Sequence, residues 1–331
     1  MGRNPFEVDK DELKEKLEEL GTQTAVAEHY GVANSTISNQ VAKHDLGAKI
    51  KPKTPHNKRL EYPNYSWEEA KEILLTLEEE TEETIGHDRV NIEIETETPV
   101  LYIGVADLHI GANYVYSKRL IQCVEDLRDP QIVCSVDGDL ADNYNTSAYK
   151  GGQIEAKLKI QKQKAIVERI LKELTPSALS ILNGCHDEWS YYNDGFDLAQ
   201  FLAHKTNCYY MGHRGNINLK VGEVNYELHV CHNTYRNSTV NPGHGLASVY
   251  KEEREFDIGF AAHTHKPHCE TRIMRGEQVS LNICGAFKGV DRFASKTGFP
   301  PLHGCTPGVL LYPKEKKFVS CIDYTMLKRF L

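Results

Sequence analysis

The sequence predicts a layered α/β domain of mixed strand order, preceded by a small all-α unit. Two observations carry that expectation. From about residue 90 onward, short apolar runs recur, each ending in a polar cluster, with one long amphipathic segment between two of them. Before residue 90 the apolar residues fall instead at helical spacing. At 331 residues, 40% hydrophobic and 26% charged, the chain can bury one large core and a small accessory domain. No apolar run reaches the roughly 18 residues of a membrane span. The expected organisation is a helical unit over 1–45, a linker and helix over 46–89, and the α/β domain over 90–331.

The opening residues, MGRNPFEVDK, lack the apolar segment of a secretory signal, which favours the cytoplasm. Nine cysteines without compact paired spacing suit a reducing compartment. A net charge of −8 excludes a surface that is basic throughout, but not a local basic patch.

In DELKEKLEEL, residues 11–20, Leu13, Leu17 and Leu20 share one helical face, and Gly21 ends the helix. Residues 23–41 read as two short helices around a turn at Gly31, with Ala27, Tyr30, Val32, Ile37 and Val41 as a small core. This stretch resembles the helix-turn-helix of phage and bacterial DNA-binding proteins, which makes Ser35, Thr36, Ser38, Asn39 and Gln40 the expected exposed contacts to DNA. A purely structural or protein-binding helical pair fits the same residues. Lys43, Lys49, Lys51, Lys53, Lys58 and Arg59 then oppose a single Asp45 in a proline-containing linker whose charge suits a phosphate backbone. WEEAKEILLTLEEETEETIG follows as an acidic amphipathic helix.

The runs VLYIGVADLHIG, QIVCSVDGDLADN, LSILNGCHDEW, YELHVCHN and FDIGFAAHTHKPH read as strands with their polar clusters in the loops beyond. Residues 155–174 read as the long helix. There is no GxGxxG or GxxxxGK to cradle a dinucleotide or a triphosphate. The clusters supply Asp107 and His109, Asp139 after Gly138, Cys185 to Asp187, His232, and His263 with His265. Burying so many carboxylates and imidazoles is costly unless each is paired or they converge on metal. Cys185 alone reads equally as a packed thiol.

Over roughly residues 98–320 these motifs resemble the calcineurin-like metallophosphoesterases. Asp107-x-His109 matches the Asp-x-His motif, Gly138-Asp139 the Gly-Asp motif, Gly184-Cys185-His186 the Gly-Asn-His motif, His232 a later single His, and Ala262-His263-Thr264-His265 the closing Gly-His-x-His. The departures are Cys185 in place of the Asn ligand and Ala262 in place of Gly.

The resemblance implies a four-layer αββα sandwich holding two divalent ions. Asp107, His109, Asp139 and His265 would hold one ion, and Asp139, Cys185, His232 and His263 the other, with Asp139 bridging. Mn²⁺ is the expected metal, with Zn²⁺ or Fe²⁺ as alternatives, and a thiolate tilts the second position toward softer ions. His186 would act as the catalytic acid, with Asp187 orienting its ring and raising its pKa. Asn143, Tyr144, Tyr235 and Arg236 are expected to touch substrate, with Trp189, Tyr191, Tyr192 and His244 nearby and Lys288 and Arg292 as weaker phosphate contacts.

Joined to a helix-turn-helix, such a centre is expected to be a DNA phosphodiesterase or nuclease, with DNA as partner and the helices able to pair two chains. A phosphomonoesterase or cyclic-nucleotide phosphodiesterase, and a non-enzymatic DNA-binding scaffold, remain as alternatives.

Overall fold

The computed structural model describes residues 7–20, 23–44, 66, 68, 89–145, 156–175, 177–238, 240–252, 255–291, 295–296 and 305–331. The basic linker, the acidic helix and Arg292 expected from the sequence lie outside the described residues, apart from Ser66 and Glu68. The chain divides into two compact units, residues 1–73 and 74–331.

The first unit contains α1 (Lys10–Leu20), α2 (Gln23–Tyr30) and α3 (Asn34–Lys43). Leu13, Val26, Ala27, Ile37 and Val41 form its buried core, with Tyr30 and Val32 packed against it. Gly31 has φ +66°, and the chain turns there by two backbone bonds, Gly31 N–H to Glu28 O (3.1 Å) and Val32 N–H to Ala27 O (3.0 Å). That pair satisfies carbonyls the end of α2 would otherwise leave open. Gln40 departs from its expected exposure and is buried. It lies three residues after Ile37 and one before Val41, on the stripe that faces the core. Ser35 and Asn39 are exposed and Thr36 is half-buried. The side chain of Ser38 is outside the described residues.

The second unit is built on two six-stranded mixed sheets. Its strands are β1 (Arg89–Ile94), β2 (Val100–Val105), β3 (Ile132–Asp137), β4 (Ala178–Leu182), β5 (Tyr209–Tyr210), β6 (Arg214–Val221), β7 (Val224–Cys231), β8 (Ile258–Ala261), β9 (His268–Met274), β10 (Glu277–Ile283), β11 (Gly308–Leu311) and β12 (Phe318–Cys321). One sheet has the order β1-β6-β7-β8-β10-β9 and the other β12-β11-β2-β3-β4-β5. In the second sheet β2, β3, β4 and β5 run parallel; in the first, β7, β8 and β10 do.

Strand β2 shows why the sheets stack. Its residues alternate faces, as the pleat requires. Val100 and Tyr102 join a cluster with Ile217, Leu228 and Phe260 of the other sheet, whereas Leu101, Ile103 and Val105 point the opposite way. The Tyr102 and Phe260 rings meet at 5.3 Å. On the far face of the β2 sheet lie α4 (Ser117–Asp126), α5 (Ile160–Leu174) and α7 (Leu198–Thr206), burying Leu120, Val167, Leu171 and Leu202. On the far face of the β7 sheet, α8 (His244–Glu252) buries Leu246, Val249 and Tyr250. None of the helices among the described residues is long and apolar enough to cross a membrane.

Two elements begin differently from the sequence reading. Among the described residues helix α5 starts at Ile160, and Lys157 N–H bonds outside it to Gly111 O (2.9 Å); residue 155, the expected start, lies outside the described residues. Cys185 and His186 lie in the first turn of a helix, α6 (Cys185–Asp194), and not in an open loop.

Candidate metal centre

Parallel strands share a carboxyl end, so the loops beyond β2, β3 and β4 emerge together, and those beyond β7 and β8 do the same in the other sheet. The loops then tie to one another through backbone bonds: Asp107 N–H to Gly138 O (3.0 Å), His109 N–H to Asp139 O (3.0 Å) and Ala262 N–H to His232 O (3.1 Å). Close approach is required at Gly138 and Gly184. A Cβ on Gly138, whose φ is +84°, would lie 2.7 Å from the His232 ring, and one on Gly184 would overlap the backbone N of Asp139.

Asp107 (φ 53°), His109 (43°), Asp139 (52°), His263 (65°) and His265 (58°) all adopt the left-handed backbone region. This conformation is uncommon outside glycine, and its clustering marks a place where side-chain direction outweighs backbone comfort. Asn143 shares it (48°).

Three groups of potential metal ligands result among the described residues. Asp107, His109, Asp139 and His265 form the first, Cys185, His232 and His263 the second, and His109, Asp142 and His186 a third that shares His109 with the first. In the first, His109 Nε2 lies 3.1 Å from His265 Nε2, 3.8 Å from Asp107 Oδ1 and 3.7 Å from Asp139 Oδ2. In the second, Cys185 Sγ lies 3.5 Å from His263 Nδ1. Asp139 Oδ2 stands 3.5 Å from His232 Nε2, so one carboxylate adjoins the first two groups. Its Oδ1 accepts the His186 backbone N–H at 2.7 Å.

These residues fit metal ions. Ligands at about 2.0–2.3 Å from a tetrahedral ion stand roughly 3.3–3.8 Å from one another, the range spanned by most of these separations. Asp107 Oδ1 and His232 Nε2 are buried and make no hydrogen bond among the described residues. Each faces a fellow member of the constellation: His265 Nε2 lies 3.4 Å from Asp107 Oδ1, and Asp139 Oδ2 faces His232. These ion-pair distances offset part of the desolvation cost, and a shared metal would supply the contact that no hydrogen bond among the described residues makes.

Charge within the centre is strongly coupled. Burial pulls Asp107 upward, but His265 outweighs it and holds the carboxyl below its ordinary value. Burial likewise opposes ionisation of Asp139, and His232 overcomes it by a wide margin. His232 is held well above the usual imidazole range because Asp139 outweighs burial. Burial and the neighbouring His186 push His109 down to about 4. Burial raises the Cys185 thiol, yet His232 and His263 bring it down to about 7.

Oxygen atoms behind the imidazoles fix their orientation. His232 Nδ1 donates to Asp137 O (2.8 Å), which leaves Nε2 toward the centre. His186 Nδ1 donates to Asp142 O (2.7 Å), and the Trp189 ring packs 4.0 Å from the imidazole. Asp142 Oδ1 lies 3.4 Å from His109 Nδ1 and 3.0 Å from Lys288 Nζ. Asp142 and Asp137 were not singled out by the sequence reading, although DGDLAD places both within three residues of Asp139.

Several expected roles change. Asp187 is fully buried and accepts the backbone N–H groups of Gly184 (3.1 Å) and Leu140 (3.2 Å), so it braces the turn into α6 and does not orient the His186 ring. Burial and the charge of Asp139 raise it to about 8. The pKa of His186 is lowered, not raised, because burial dominates.

Asn143 is fully buried and donates to His186 O (2.6 Å) and Ser190 Oγ (3.0 Å), which makes it part of the scaffold. Lys288 is paired with Asp142 and Asp291, so its charge is already compensated. Arg236 pairs with Glu252 at 2.5 Å, and the Tyr235 hydroxyl bonds to the same carboxylate. Tyr144 lies with its ring 5.3 Å from His186 and 5.0 Å from Trp189, beside the centre.

No family model matches the chain, and none of the curated proteins does. Solved structures show similarity. A conserved uncharacterized protein of Streptococcus pneumoniae, described as a predicted phosphoesterase, is 12% identical, with 68% of this chain and 100% of that one covered and a TM-score of 0.33. A Thermus thermophilus protein is 10% identical, covering 68% and 99%, with a TM-score of 0.35. A metallophosphoesterase from Sphaerobacter thermophilus is 12% identical, covering 67% and 86%, with a TM-score of 0.33.

Proposed function

We propose that the protein is a dinuclear metal-dependent phosphoesterase that cleaves DNA phosphodiesters, built on a four-layer αββα sandwich with an N-terminal helix-turn-helix. The observation that carries this reading is the convergence of Asp107, His109, Asp139 and His265 with Cys185, His232 and His263 around a shared carboxylate, with Asp107 Oδ1 and His232 Nε2 buried and making no hydrogen bond among the described residues. Asp107, His109, Asp139 and His265 would hold one ion, and Cys185, His232, His263 and Asp139 the second. When bound, two divalent cations, Mn²⁺ for preference, supply Lewis-acid polarisation of a phosphoryl oxygen and an acidified water.

The remaining work falls to the chain. Asp139 sets the two groups at a common distance, and its second oxygen holds the start of α6 through His186 N–H. His186 has Nδ1 committed to a carbonyl, so Nε2 is the ring atom that can pass a proton to a leaving oxygen. Burial lowers its pKa and so favours the neutral ring, whose Nε2 bears a lone pair; that atom must take up a proton before it can pass one on. Trp189 and Tyr144 cover that ring and limit water beside it.

The DNA preference rests on the first unit, where Ser35 and Asn39 are exposed on α3 and Thr36 partly so; on this reading α3 would serve as a recognition helix. A tethered DNA-binding unit raises the local concentration of the centre at its substrate. The test is incubation of the full chain with Mn²⁺ and single- or double-stranded DNA. Cleavage that Asp139→Ala abolishes supports the reading; hydrolysis of p-nitrophenyl esters with every DNA form left intact removes DNA as the substrate.

A further inference from the structure

Resting on the phosphodiester reading, we propose that the cavity beside Cys185 and His232 is a nucleobase subsite, which takes one unpaired base next to the scissile phosphate. The cavity has a volume of about 400 Å³, within the range of sites for small organic groups. Helix α6 builds one side of it with Cys185, Glu188, Trp189 and Tyr192. Their spacing of i, i+3, i+4 and i+7 puts all four on one helical face. His213 and Asn233 line it from other segments. Cys185 and His232 belong to the second metal-ligating group, so a molecule filling the cavity would also adjoin the reacting phosphate.

Charge selects the occupant. Among the described lining residues there is no Lys or Arg. Glu188 stands in the wall, its carboxylate fixed 3.0 Å from His213 Nε2 and 3.3 Å from Asn183 Nδ2. A second phosphate would be repelled there, whereas an uncharged flat ring meets two aromatic side chains. Trp189 is held against His186, and Tyr192, at 70% exposure, leaves an uncovered ring at the cavity. Base-on-aromatic stacking is tolerant of sequence and strong enough to govern binding. A base can enter only when it is out of the duplex stack, so the subsite makes single-stranded DNA, or a frayed or flipped nucleotide, the preferred substrate form.

The experiment uses the full chain with Mn²⁺ and a single-stranded oligonucleotide carrying one abasic nucleotide, with the cleavage ladder read linkage by linkage. The other linkages of the same strand serve as the internal control. Cleavage next to the abasic nucleotide is expected to fall about ten-fold relative to the rest, the scale of one lost stacking contact. Tyr192→Ala is expected to even out the ladder and Tyr192→Phe to preserve the dip, with circular dichroism confirming the fold of each.

An even ladder in the unaltered protein, or a dip that persists in both Tyr192→Ala and Trp189→Leu, overturns the subsite and leaves the phosphodiester reading standing. Cleavage of bis(p-nitrophenyl) phosphate with no cleavage of the strand overturns the DNA substrate and the subsite together. Loss of both activities in metal-loaded protein overturns the underlying reading as well.

Discussion

Asp126 and Asp107 are both buried carboxylates of the larger unit, and they sit in opposite circumstances. Asp126 accepts from Gln122 Nε2 (2.8 Å), the Tyr324 hydroxyl (2.8 Å) and Lys328 Nζ (2.6 Å), tying α4 to the last turns of the chain. Asp107 Oδ2 accepts the His263 N–H (3.1 Å), while its Oδ1 has only His265 at ion-pair distance (3.4 Å) and His109 farther off, and no hydrogen bond among the described residues. Satisfied buried polar groups lock a fold, and unsatisfied ones need a reason. At Asp107 the reason is supplied by the imidazoles gathered around the same space.

The contrast between the two carboxylates fixes what substitutions should do. The largest effect is expected at the shared carboxylate: Asp139→Ala should lower bis(p-nitrophenyl) phosphate hydrolysis by at least about 1,000-fold while urea unfolding stays cooperative. Retained activity would put Asp139 in the same structural class as Asp126.

Next comes Asp126→Ala, which leaves the Tyr324 hydroxyl and Lys328 without their partner. It should cost about 2–3 kcal/mol in urea unfolding, with metal content unchanged. The sign of its pH dependence follows from the direction of the shift. Burial opposes ionisation of Asp126, but Lys328, Tyr324 and Gln122 together hold its pKa below 3.8. The stability it contributes is therefore present above that value and lost as pH falls through the lowered pKa. Asp126→Asn should weaken the acid sensitivity of unfolding in that window.

Cys185→Asn comes third. Replacing sulfur by oxygen should shift metal preference away from Zn²⁺ toward Mn²⁺ by about ten-fold in competition dialysis. Unchanged preference would make Cys185 a packed thiol. Metal binding should also release protons, because His232 is held in its charged form and Cys185 titrates at about 7. Apparent affinity should thus rise with pH through that value in the unaltered protein and less steeply in Cys185→Asn.

The smallest effect belongs to the first unit. Asn39→Ala should weaken a DNA gel shift by a few-fold, on the order of 1 kcal/mol, without changing hydrolysis of the small ester.

The sequence foretold the centre better than the scaffold around it. Asp107, His109, Asp139, Cys185, His232, His263 and His265 each follow an apolar run, which pointed to loops at strand ends, while their grouping into ligand sets, and the role of Cys185 in particular, came only with the family resemblance. The left-handed backbone at five of them was not legible, because it goes with bonds between loops far apart in the chain, such as Asp107 N–H to Gly138 O and Ala262 N–H to His232 O. Asp187 looked like the partner of its neighbour His186, but residues i and i+1 on a helix diverge, and its carboxylate caps the turn instead. Lys288 looked free until the fold set it beside Asp142 from far along the chain. Gln40 was misjudged by polarity, although its spacing from Ile37 already placed it on the inner stripe.

On this reading the buried atoms of Asp107 and His232 that make no hydrogen bond among the described residues are there to meet metal. Native mass spectrometry of the full chain, dialysed against Mn²⁺ or Zn²⁺ and then freed of excess, tests it most directly. The expected result is two ions per chain, with Asp107→Ala and His232→Ala each losing the ion of its own group and Asp126→Ala keeping both. A chain that retains no ion under these conditions, and whose melting temperature is unmoved by either metal, would mean that these side chains do not hold metal.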